Sequence, residues 1–542
     1  MTNQPFRLLF LALLSALALA LAACGDDESS EDVGDLGPDP ATMAPADAPF
    51  YAEAVVRPEG AMLDDFNSAF GTLLGTEDPS AMLRDQIEQE LADSEEGVSY
   101  SEDIEPWLGA RVGGFVTEVD PSGEKAEGAA IAAVTDAEAA QTFIDEQAES
   151  AEQPLTDAEY NGVSYKVDSE EGSAVGINGD FLIAGTEQGL KDAVDAGAGD
   201  SLAESETATT AREEIPDNSL FSAFVDTAAA IDLIESSGEF TPEQLKSFQS
   251  QIEGYSEGPV NFWGVVEEST MSLAASAPAP PEGGEPSELL STFPADAWLA
   301  FAAPDVGQQI QASLDQFKAG FQAGLQSSGT GLNVDPIAEI NKATGIDVER
   351  DLGSIGDVGG FVQGTSLLGI GGGLVLETDD EQAASQAVDR LAMALQNQRE
   401  VQVTPSDTGF TLQVAGAPIG AEVRVEDGKV VLAGGGATVD DVLEPAETLD
   451  GSDRFNTAQD ALGDDLTAAF FLDFAPVVSL IESTGAATSD PSYQMAKPYL
   501  DRLDYVVAGS KLDGDRTSAA FVVGVKEAPA ESEDTAAAVI TP

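Results

Sequence analysis

The sequence predicts an α+β protein built from two tandem copies of one domain, each with a mostly antiparallel sheet and helices packed on one face. Three observations lead to this prediction. Short apolar segments are joined by Asn-Gly and Asp-Gly turns, which favour hairpins between antiparallel strands. Ala-rich segments that follow Thr-Asp-x-Glu are typical of helices with a capped amino end. Sequence blocks of the first half return in the second half in the same order.

The duplication depends on five matched blocks, whose offsets lie between 243 and 249 residues. Chance does not preserve both the order and the spacing of so many blocks. The blocks are Pro-Ala-Asp-Ala (45–48 and 294–297), Val-Gly-Gly-Phe-Val (112–116 and 358–362), Thr-Asp-x-Glu (135–138 and 378–381), a hairpin turn (178–179 and 427–428) and Phe-x-Asp (224–226 and 471–473).

Hydrophobic periodicity gives the elements of the first copy in chain order and leaves the strand order open. The predicted strands are 50–56, 110–119, 128–134, the hairpins 157–167 and 173–184, then 219–226, 259–267 and 270–276. The predicted helices are 61–74, 80–93, 136–149, 187–196, 228–236 and 242–252. The second copy repeats this pattern and ends in strands 503–510 and 517–525.

Composition shifts along the chain predict its boundaries. A Pro/Gly/acidic stretch separates the copies and is typical of a semi-rigid linker, and the last residues have no periodic apolar pattern. The predicted segments are a signal peptide (1–23), an acidic flexible tether (24–43), the first domain (44–275), a linker (276–288), the second domain (289–527) and a disordered tail (528–542).

The amino terminus reads as an export signal, because a basic residue precedes an apolar stretch (8–20) and small residues follow it. That stretch is shorter than the ~20 residues of a membrane span. The tetrapeptide Leu21-Ala22-Ala23-Cys24 resembles the lipobox of bacterial lipoproteins. The resemblance implies cleavage between Ala23 and Cys24 and a diacylglycerol on Cys24, whose two acyl chains anchor a protein stably. We therefore expect a lipid-anchored protein on the extracytoplasmic face of the cell membrane.

The charge and the residue types that are missing exclude several functions. With 99 acidic against 22 basic residues and a net charge of −77, the chain lacks the clustered cations that nucleic-acid binding needs. It contains no histidine and its only cysteine is Cys24, so histidine-based catalysis and zinc sites with histidine or several thiolates are excluded. Such acidity predicts adaptation to high salt and, at most, loosely bound cations as surface partners.

Acidic and nucleophilic side chains give two candidate catalytic sites. Asp226 and Asp473 occupy equivalent places where a strand meets a helix, so they form either a carboxylate pair or two helix caps. Because there is one in each copy, capping is favoured. Ser122 and Lys125 match the spacing Ser-x-x-Lys of serine acyl enzymes, but they lie in a Pro/Gly loop instead of on one helix face. We expect no catalytic residues.

Glycine, acidic and tryptophan positions give the remaining candidates. The Gly-rich stretch 369–373 runs into a strand where a phosphate site needs a helix, and 433–436 lies between a strand and a helix but has no following Lys-Ser/Thr, which favours turns. The acidic pair Asp26-Asp27 and the cluster 513–515 do not match a calcium loop. We expect no metal and no cofactor. Three tryptophans lie in apolar patterns that favour core packing over sugar stacking; they are Trp107, Trp263 and Trp298.

The Pro-Ala-Asp-Ala phrase before an apolar strand, the Gly-Gly-Phe-Val strand, the length and the duplication resemble a family of bacterial envelope proteins known only as a domain of unknown function. The resemblance covers about 44–526 and brings no catalytic residues with it. It implies an uncharacterised exported or membrane-attached protein.

These observations rank the possible functions. A non-catalytic, lipid-anchored envelope protein that serves as a binding or scaffold module comes first, since no catalytic set converges. A carrier of lipid or another apolar ligand in a sheet cavity comes second, because curved antiparallel sheets backed by helices can enclose one. A solute-binding lipoprotein of a transporter comes third. A carboxylate-dependent hydrolase comes last, and we expect the protein not to be an enzyme.

Overall fold

The chain divides into two compact units, which are described separately: Met1–Pro281 with Asp513–Ser518 and Val525–Pro542, and Glu282–Leu512 with Ala519–Gly524. The computed structural model describes residues 36–93, 98–119, 126–151, 155–169, 172–237, 258–279, 284–311, 314, 337, 353–366, 369–396, 401–414, 420–483, 485 and 490–526. The signal peptide, most of the predicted tether, the predicted tail and the predicted helix 242–252 lie outside these residues.

The described part of the first unit contains ten strands and six α-helices. The strands are β1 (Phe50–Val55), β2 (Leu108–Val119), β3 (Ala126–Val134), β4 (Thr156–Tyr160), β5 (Val163–Val167), β6 (Ser173–Asn178), β7 (Phe181–Thr186), β8 (Ser219–Val225), β9 (Val260–Glu267) and β10 (Thr270–Pro278). The helices are α1 (Gly60–Leu74), α2 (Pro79–Asp93), α3 (Ala137–Ser150), α4 (Glu187–Gly197), α5 (Glu206–Arg212) and α6 (Thr227–Ser237).

The strands of the first unit pair in the order β4-β5-β6-β7-β3-β2-β1-β8-β9-β10. Each of these pairings is antiparallel. The first strand of the chain therefore lies near the middle of the sheet, between β2 and β8. The prediction of a mostly antiparallel α+β fold is confirmed for this unit.

Helices cover both faces of this sheet. Helix α4 packs in one core cluster with Ile131 and Ile183, whereas α3 packs in another with Ala132 and Leu182. Successive residues of a strand point to opposite faces, so the two clusters lie on opposite sides. The prediction of helices on one face is wrong. Its physical reason is visible in β3 and β7, where small and apolar residues at successive instead of alternate positions are buried, from Gly128 to Val134 and from Phe181 to Gly185.

Ten further strands are described; they lie in the second unit except for residues 513, 516–518 and 525 of the last two strands, which are grouped with the first unit. They are β11 (Ala297–Ala303), β12 (Ile355–Gln363), β13 (Gly371–Thr378), β14 (Val401–Pro405), β15 (Gly409–Val414), β16 (Gly420–Glu426), β17 (Lys429–Gly435), β18 (Thr467–Asp473), β19 (Leu503–Asp513) and β20 (Arg516–Val525). They pair in the order β14-β15-β16-β17-β13-β12-β11-β18-β19-β20. The pairings from β14 through to β19 are antiparallel.

Helices also cover both faces of the second sheet. The described helices are α7 (Glu381–Gln396), α8 (Val439–Leu443), α9 (Asp453–Leu462), α10 (Phe474–Ser483) and α11 (Pro491–Leu500). On β17, Val430 packs against the cluster of α7, whereas its neighbour Val431 belongs to the cluster of α9. Among the described residues, no helix combines the length and the apolar character that crossing a bilayer requires.

Candidate functional site

The described chain begins with a segment that is fixed to the first unit, residues 36–44, called here the N-terminal segment. Pro40–Met43 forms a 3-10 helix, which Asp39 caps by accepting a hydrogen bond from the Ala41 amide at 2.9 Å. The side chains of Ala41 and Ala44 are fully buried in the core. The prediction of a flexible tether reaching residue 43 is therefore wrong for its last residues, because capping and apolar burial order them.

Backbone hydrogen bonds join this segment to the stretch before α5. The Leu202 amide donates to the Ala44 carbonyl at 2.7 Å, and Pro45 forms an isolated bridge with Ser201. Helix α5 follows directly and carries Arg212 in its last turn. The connection therefore brings Arg212 next to the start of the described chain.

Arg212 is the centre of a charged network on one face of the first sheet. Its Nη2 lies 3.1 Å from Asp39 Oδ2 and 3.4 Å from Glu53 Oε1. Glu53 also accepts a hydrogen bond at 2.7 Å from the hydroxyl of Tyr51, which is buried. Burial lowers the pKa of the Arg212 guanidinium, but attraction to Glu53 and then Asp39 outweighs it, so the pKa is raised overall. The guanidinium thus stays charged and orders both carboxylates.

Arg111 approaches the same place from β2. Strand register pairs Arg111 with Val55 and Gly113 with Glu53, so Arg111 and Glu53 lie on one face of the sheet. Its Nη2 donates to the Gly37 carbonyl at 3.0 Å, while its Nε is buried with no hydrogen-bond partner. Among the described residues, Arg111 forms no ion pair.

A cavity of about 630 Å³ lies beside these two arginines, within the first unit. Its polar and charged lining includes Arg111, Arg212, Glu53, Thr209, Glu213 and Asp217. Its apolar lining includes Leu36, Val55, Ile215, Pro216, Leu220 and Phe221. A cavity of this size with a few convergent polar groups is the usual form of a small-molecule site. We take it as the candidate functional site.

The charged groups of this cavity are suited to binding a ligand. Arginine stays protonated and cannot act as a general base, and the carboxylate of Glu53 is already engaged by Arg212 and Tyr51. Within the described part of the chain, no group of three or more acidic or thiol side chains is arranged to hold a metal ion. The arrangement can bind and orient a small charged molecule.

The carboxylates predicted as either a catalytic pair or helix caps are found at helix starts. Asp226 Oδ1 accepts a hydrogen bond from the Ala229 amide at 3.1 Å, and Asp473 Oδ1 accepts one from the Ala475 amide at 2.9 Å. Asp473 is also ion-paired, with Arg454 Nε 2.7 Å from its Oδ2. Burial raises the pKa of Asp473, opposed by the Ala475 amide and Arg454. The capping interpretation is confirmed at both positions.

The Gly-rich stretches are places of close backbone approach. A Cβ on Gly371 would lie 2.4 Å from the Ala437 amide nitrogen and 2.5 Å from that of Gly436. Gly435 adopts a φ of 69°, which ends β17 in a turn. The turn interpretation is confirmed at Gly369 and at Gly435, whereas Gly371, Gly372 and Gly373 belong to β13.

The other residues singled out from the sequence are not brought together. Trp107 is buried, donates from Nε1 to the Asp103 carbonyl and packs on Phe143, which confirms its core role. Asp513 ends β19, and Gly514 and Asp515 form the turn to β20. Trp298 donates from Nε1 to the Gly364 carbonyl at 2.9 Å, and Trp263 is half-buried on β9. Three calls, covering six residues, fall outside the described residues: the cleavage and lipidation site at Ala23 and Cys24, the acidic pair Asp26-Asp27, and the pair Ser122 and Lys125.

Sequence reasoning missed the two arginines. Arg111 stands among small and apolar residues of a predicted strand, in a chain with only 22 basic residues, and this is the one signal that pointed to it. Arg212 lies on α5, a helix that periodicity did not predict. Its partner Asp39 was assigned to the tether.

One family model matches residues 8–518, nearly the whole chain. The chain belongs to the family DUF3352. Its description is "Protein of unknown function", so DUF3352 membership adds no activity. No curated protein matches the chain.

Solved structures match only distantly. Crystal form III of TP0453 is similar at 8% identity and a TM-score of 0.25 over 46% of this chain and 82% of that chain. Crystal form I of TP0453 is similar at 10% identity and a TM-score of 0.24 over the same shares.

Proposed function

We propose that this DUF3352 protein is a lipid-anchored envelope protein on the extracytoplasmic face of the membrane, acting as a non-catalytic binding module. The signal-like residues 1–23 and the lipobox-like sequence before Cys24 support the anchor. The cavity beside Arg111 and Arg212 supports binding. The N-terminal segment is consistent with both the anchor and the binding role, because its buried residues and hydrogen bonds attach the chain that follows Cys24 to the unit that contains the cavity.

The proposed anchor also limits where the first unit can be. Eleven residues separate Cys24 from Leu36, and an extended chain spans at most about 3.3–3.6 Å per residue. The cavity of the first unit would then stay within about 40 Å of the bilayer surface, since residues 36–44 no longer belong to the free tether.

Duplication of one domain is part of the proposal. Numbering the strands of the second unit from its own first strand gives the same order, 4-5-6-7-3-2-1-8-9-10, as in the first unit. The matched sequence blocks fall on corresponding elements, for example β2 and β12, or β8 and β18. Equal order of ten strands, together with matched blocks, supports two copies of one domain.

A solute-binding lipoprotein is the second candidate function, and the charged lining of the cavity favours it. Arg111, Arg212 and Glu53 line this cavity together with apolar residues. Such a lining suits a polar or charged solute better than an acyl chain, because an apolar ligand would leave the charged groups unpaired. A carrier of apolar ligands is therefore the less favoured alternative.

Metabolic labelling with a fatty acid tests the anchor. We expect label on the wild-type chain and its recovery with membranes, and loss of both in Cys24→Ser. A matched control moves the thiol five residues, in the double variant Cys24→Ser/Ser29→Cys, and we expect no label there because residue 29 lacks the small residues that precede Cys24. Unchanged fractionation of Cys24→Ser would contradict the proposed localisation.

A further inference from the structure

We propose that the cavity of the first unit binds a small zwitterion, a free amino acid or a short peptide, whose carboxylate is held by Arg111. This inference rests on the proposed function as a binding module and names its ligand class. Four observations carry it: the state of Arg111, the engagement of its neighbours, the carboxylates at the rim, and the size of the cavity.

Arg111 lines a cavity without a described carboxylate partner in a chain with 99 acidic and 22 basic residues. Four other described arginines are ion-paired with carboxylates, namely Arg212, Arg424, Arg454 and Arg516, whereas Arg57 donates to the carbonyls of Glu105 and Leu108. Arg111 gives a single hydrogen bond to the Gly37 carbonyl, and it has no carboxylate partner among the described residues. Guanidinium prefers a bidentate carboxylate, so its position in a cavity indicates a carboxylate supplied by a ligand.

The neighbouring carboxylates do not take this place. Glu53 lies on the same face of the sheet as Arg111, because Arg111 pairs with Val55 and Glu53 stands two residues before Val55 on β1. Its oxygens are bound by the Tyr51 hydroxyl and the Arg212 guanidinium. Asp39 is bound by Arg212 and by the Ala41 amide. The network is satisfied within itself and leaves Arg111 available.

The carboxylates at the rim of the cavity indicate that the ligand also carries a positive charge. Glu213 and Asp217 line the cavity, are exposed, and form no ion pair within the described part of the chain. They favour an ammonium group. A ligand with net negative charge would be repelled by a protein of net charge −77, whereas a zwitterion brings a carboxylate to Arg111 without net charge.

The volume of about 630 Å³ lies within the usual range of small-ligand pockets, ~300–1,000 Å³, and admits a single amino acid or a short peptide. Leu36, Ile215 and Pro216 offer apolar surface for its side chains. The residue of the second unit that matches Arg111 in the Val-Gly-Gly-Phe-Val block is Asp357, which accepts from the Asp305 amide instead. Of the two matched positions, only the one in the first unit carries an arginine that could hold a carboxylate.

Calorimetric titration of the full chain tests the proposal, with L-alanine and tri-L-alanine as two separate probes. We expect saturable binding of one molecule of at least one probe. Amidating the carboxyl group of that probe, or the variant Arg111→Gln, should weaken binding by about tenfold or more. Lys511→Gln, a change in the second unit whose carboxylate partner Asp465 is 84% exposed, is the control and should bind as the wild type does. No binding of either probe, or equal binding by Arg111→Gln, would overturn the proposal.

A second variant, at the exposed rim carboxylates Glu213 and Asp217, tests the proposal even if Arg111→Gln fails to fold. In wild type, N-acetylation of the peptide should weaken binding, and in Glu213→Gln/Asp217→Asn the acetylated and free peptides should bind alike. If the double variant still discriminates between them as wild type does, the zwitterion assignment fails. Fatty-acid labelling of Cys24 is independent of these titrations, so failure of the anchor and failure of the ligand class can be told apart.

Discussion

Arg212 binds Asp39 across 173 residues of sequence, with its Nη2 donating to Asp39 Oδ2 at 3.1 Å. The same guanidinium binds Glu53 of β1. One cation therefore connects the N-terminal segment, the central strand of the first sheet and the end of α5. In a protein with only 22 basic residues against 99 acidic ones, one cation that binds two carboxylates connects three parts of the unit.

Removing this cation should destabilise the first unit. Breaking a fully buried pair costs about 3–5 kcal/mol, and because the side chain of Arg212 is 21% exposed we expect about 2 kcal/mol for Arg212→Gln. The control is Lys166→Gln, whose partners Asp145 and Asp157 are 52% and 83% exposed, with an expected loss below about 0.5 kcal/mol. Urea unfolding measures the free energy of unfolding of both variants. Equal losses in the two variants would contradict the prediction that the Arg212 network stabilises the unit more than an exposed ion pair does.

Tyr51 should make stability depend on alkaline pH. Burial, then the charges of Glu53 and Asp39, raise its pKa well above 10.0. Above pH 10 the unfolded chain loses this proton while the folded chain keeps it, so stability falls as pH rises, by up to about 1.4 kcal/mol per pH unit. We expect Tyr51→Phe to flatten the fall between about pH 10 and 11.5. Tyr499→Phe, at an exposed position, is the control, and a wild-type slope in Tyr51→Phe would contradict the prediction.

The start of α4 should not tolerate a side chain at Gly189. A Cβ there would lie 2.1 Å from the Gly128 carbonyl oxygen of β3. Alanine normally favours a helix over glycine, but here the overlap dominates, and we expect Gly189→Ala to lower the free energy of unfolding by about 2 kcal/mol. Gly199→Ala is the matched control, because nothing lies within 4 Å of its Cβ. A stabilised Gly189→Ala variant would show that α4 can shift away from the sheet.

Local sequence patterns predicted most of the described elements, because turns and caps depend on neighbouring residues. The turn Asp427-Gly428 has φ of 51° and 72°, as a two-residue hairpin loop requires. At the earlier hairpin the loop residues are Gly179 and Asp180, one position later than predicted, because Asn178 pairs with Phe181. The cap of α3 is Asp136, which accepts from the Glu138 and Ala139 amides, so the predicted capping motif contributes its second residue.

Long-range arrangement was beyond the sequence patterns. The strand order places β1 between β2 and β8, and no periodicity carries that information. The candidate site joins Asp39, Glu53, Arg111 and Arg212 from four separate parts of the chain. Each of these residues is unremarkable in its own neighbourhood. Only the sheet register and the path of the N-terminal segment bring them together.

The two helix-cap aspartates should respond differently to the same substitution. Asparagine caps a helix about as well as aspartate, so Asp226→Asn should change stability little, whereas Asp226→Ala should cost about 1 kcal/mol. Asp473→Asn also removes the ion pair with Arg454, and we expect a loss of about 1 kcal/mol. Thermal unfolding of the three variants measures this. A large loss in Asp226→Asn would mean that its charge, and not its cap, matters.

Added salt should stabilise the protein. A net charge of −77 over 542 residues opposes the compact state by self-repulsion, and raising the salt from ~0.1 M to ~1 M shortens the screening length from ~10 Å to ~3 Å. The few ion pairs lose strength under the same conditions, but exposed pairs contribute only about 0–1 kcal/mol each. We therefore expect the melting temperature to rise between dilute buffer and 1 M NaCl. KCl should act alike if screening is the cause, and a rise in one salt alone would point to specific cation binding at the acidic surface.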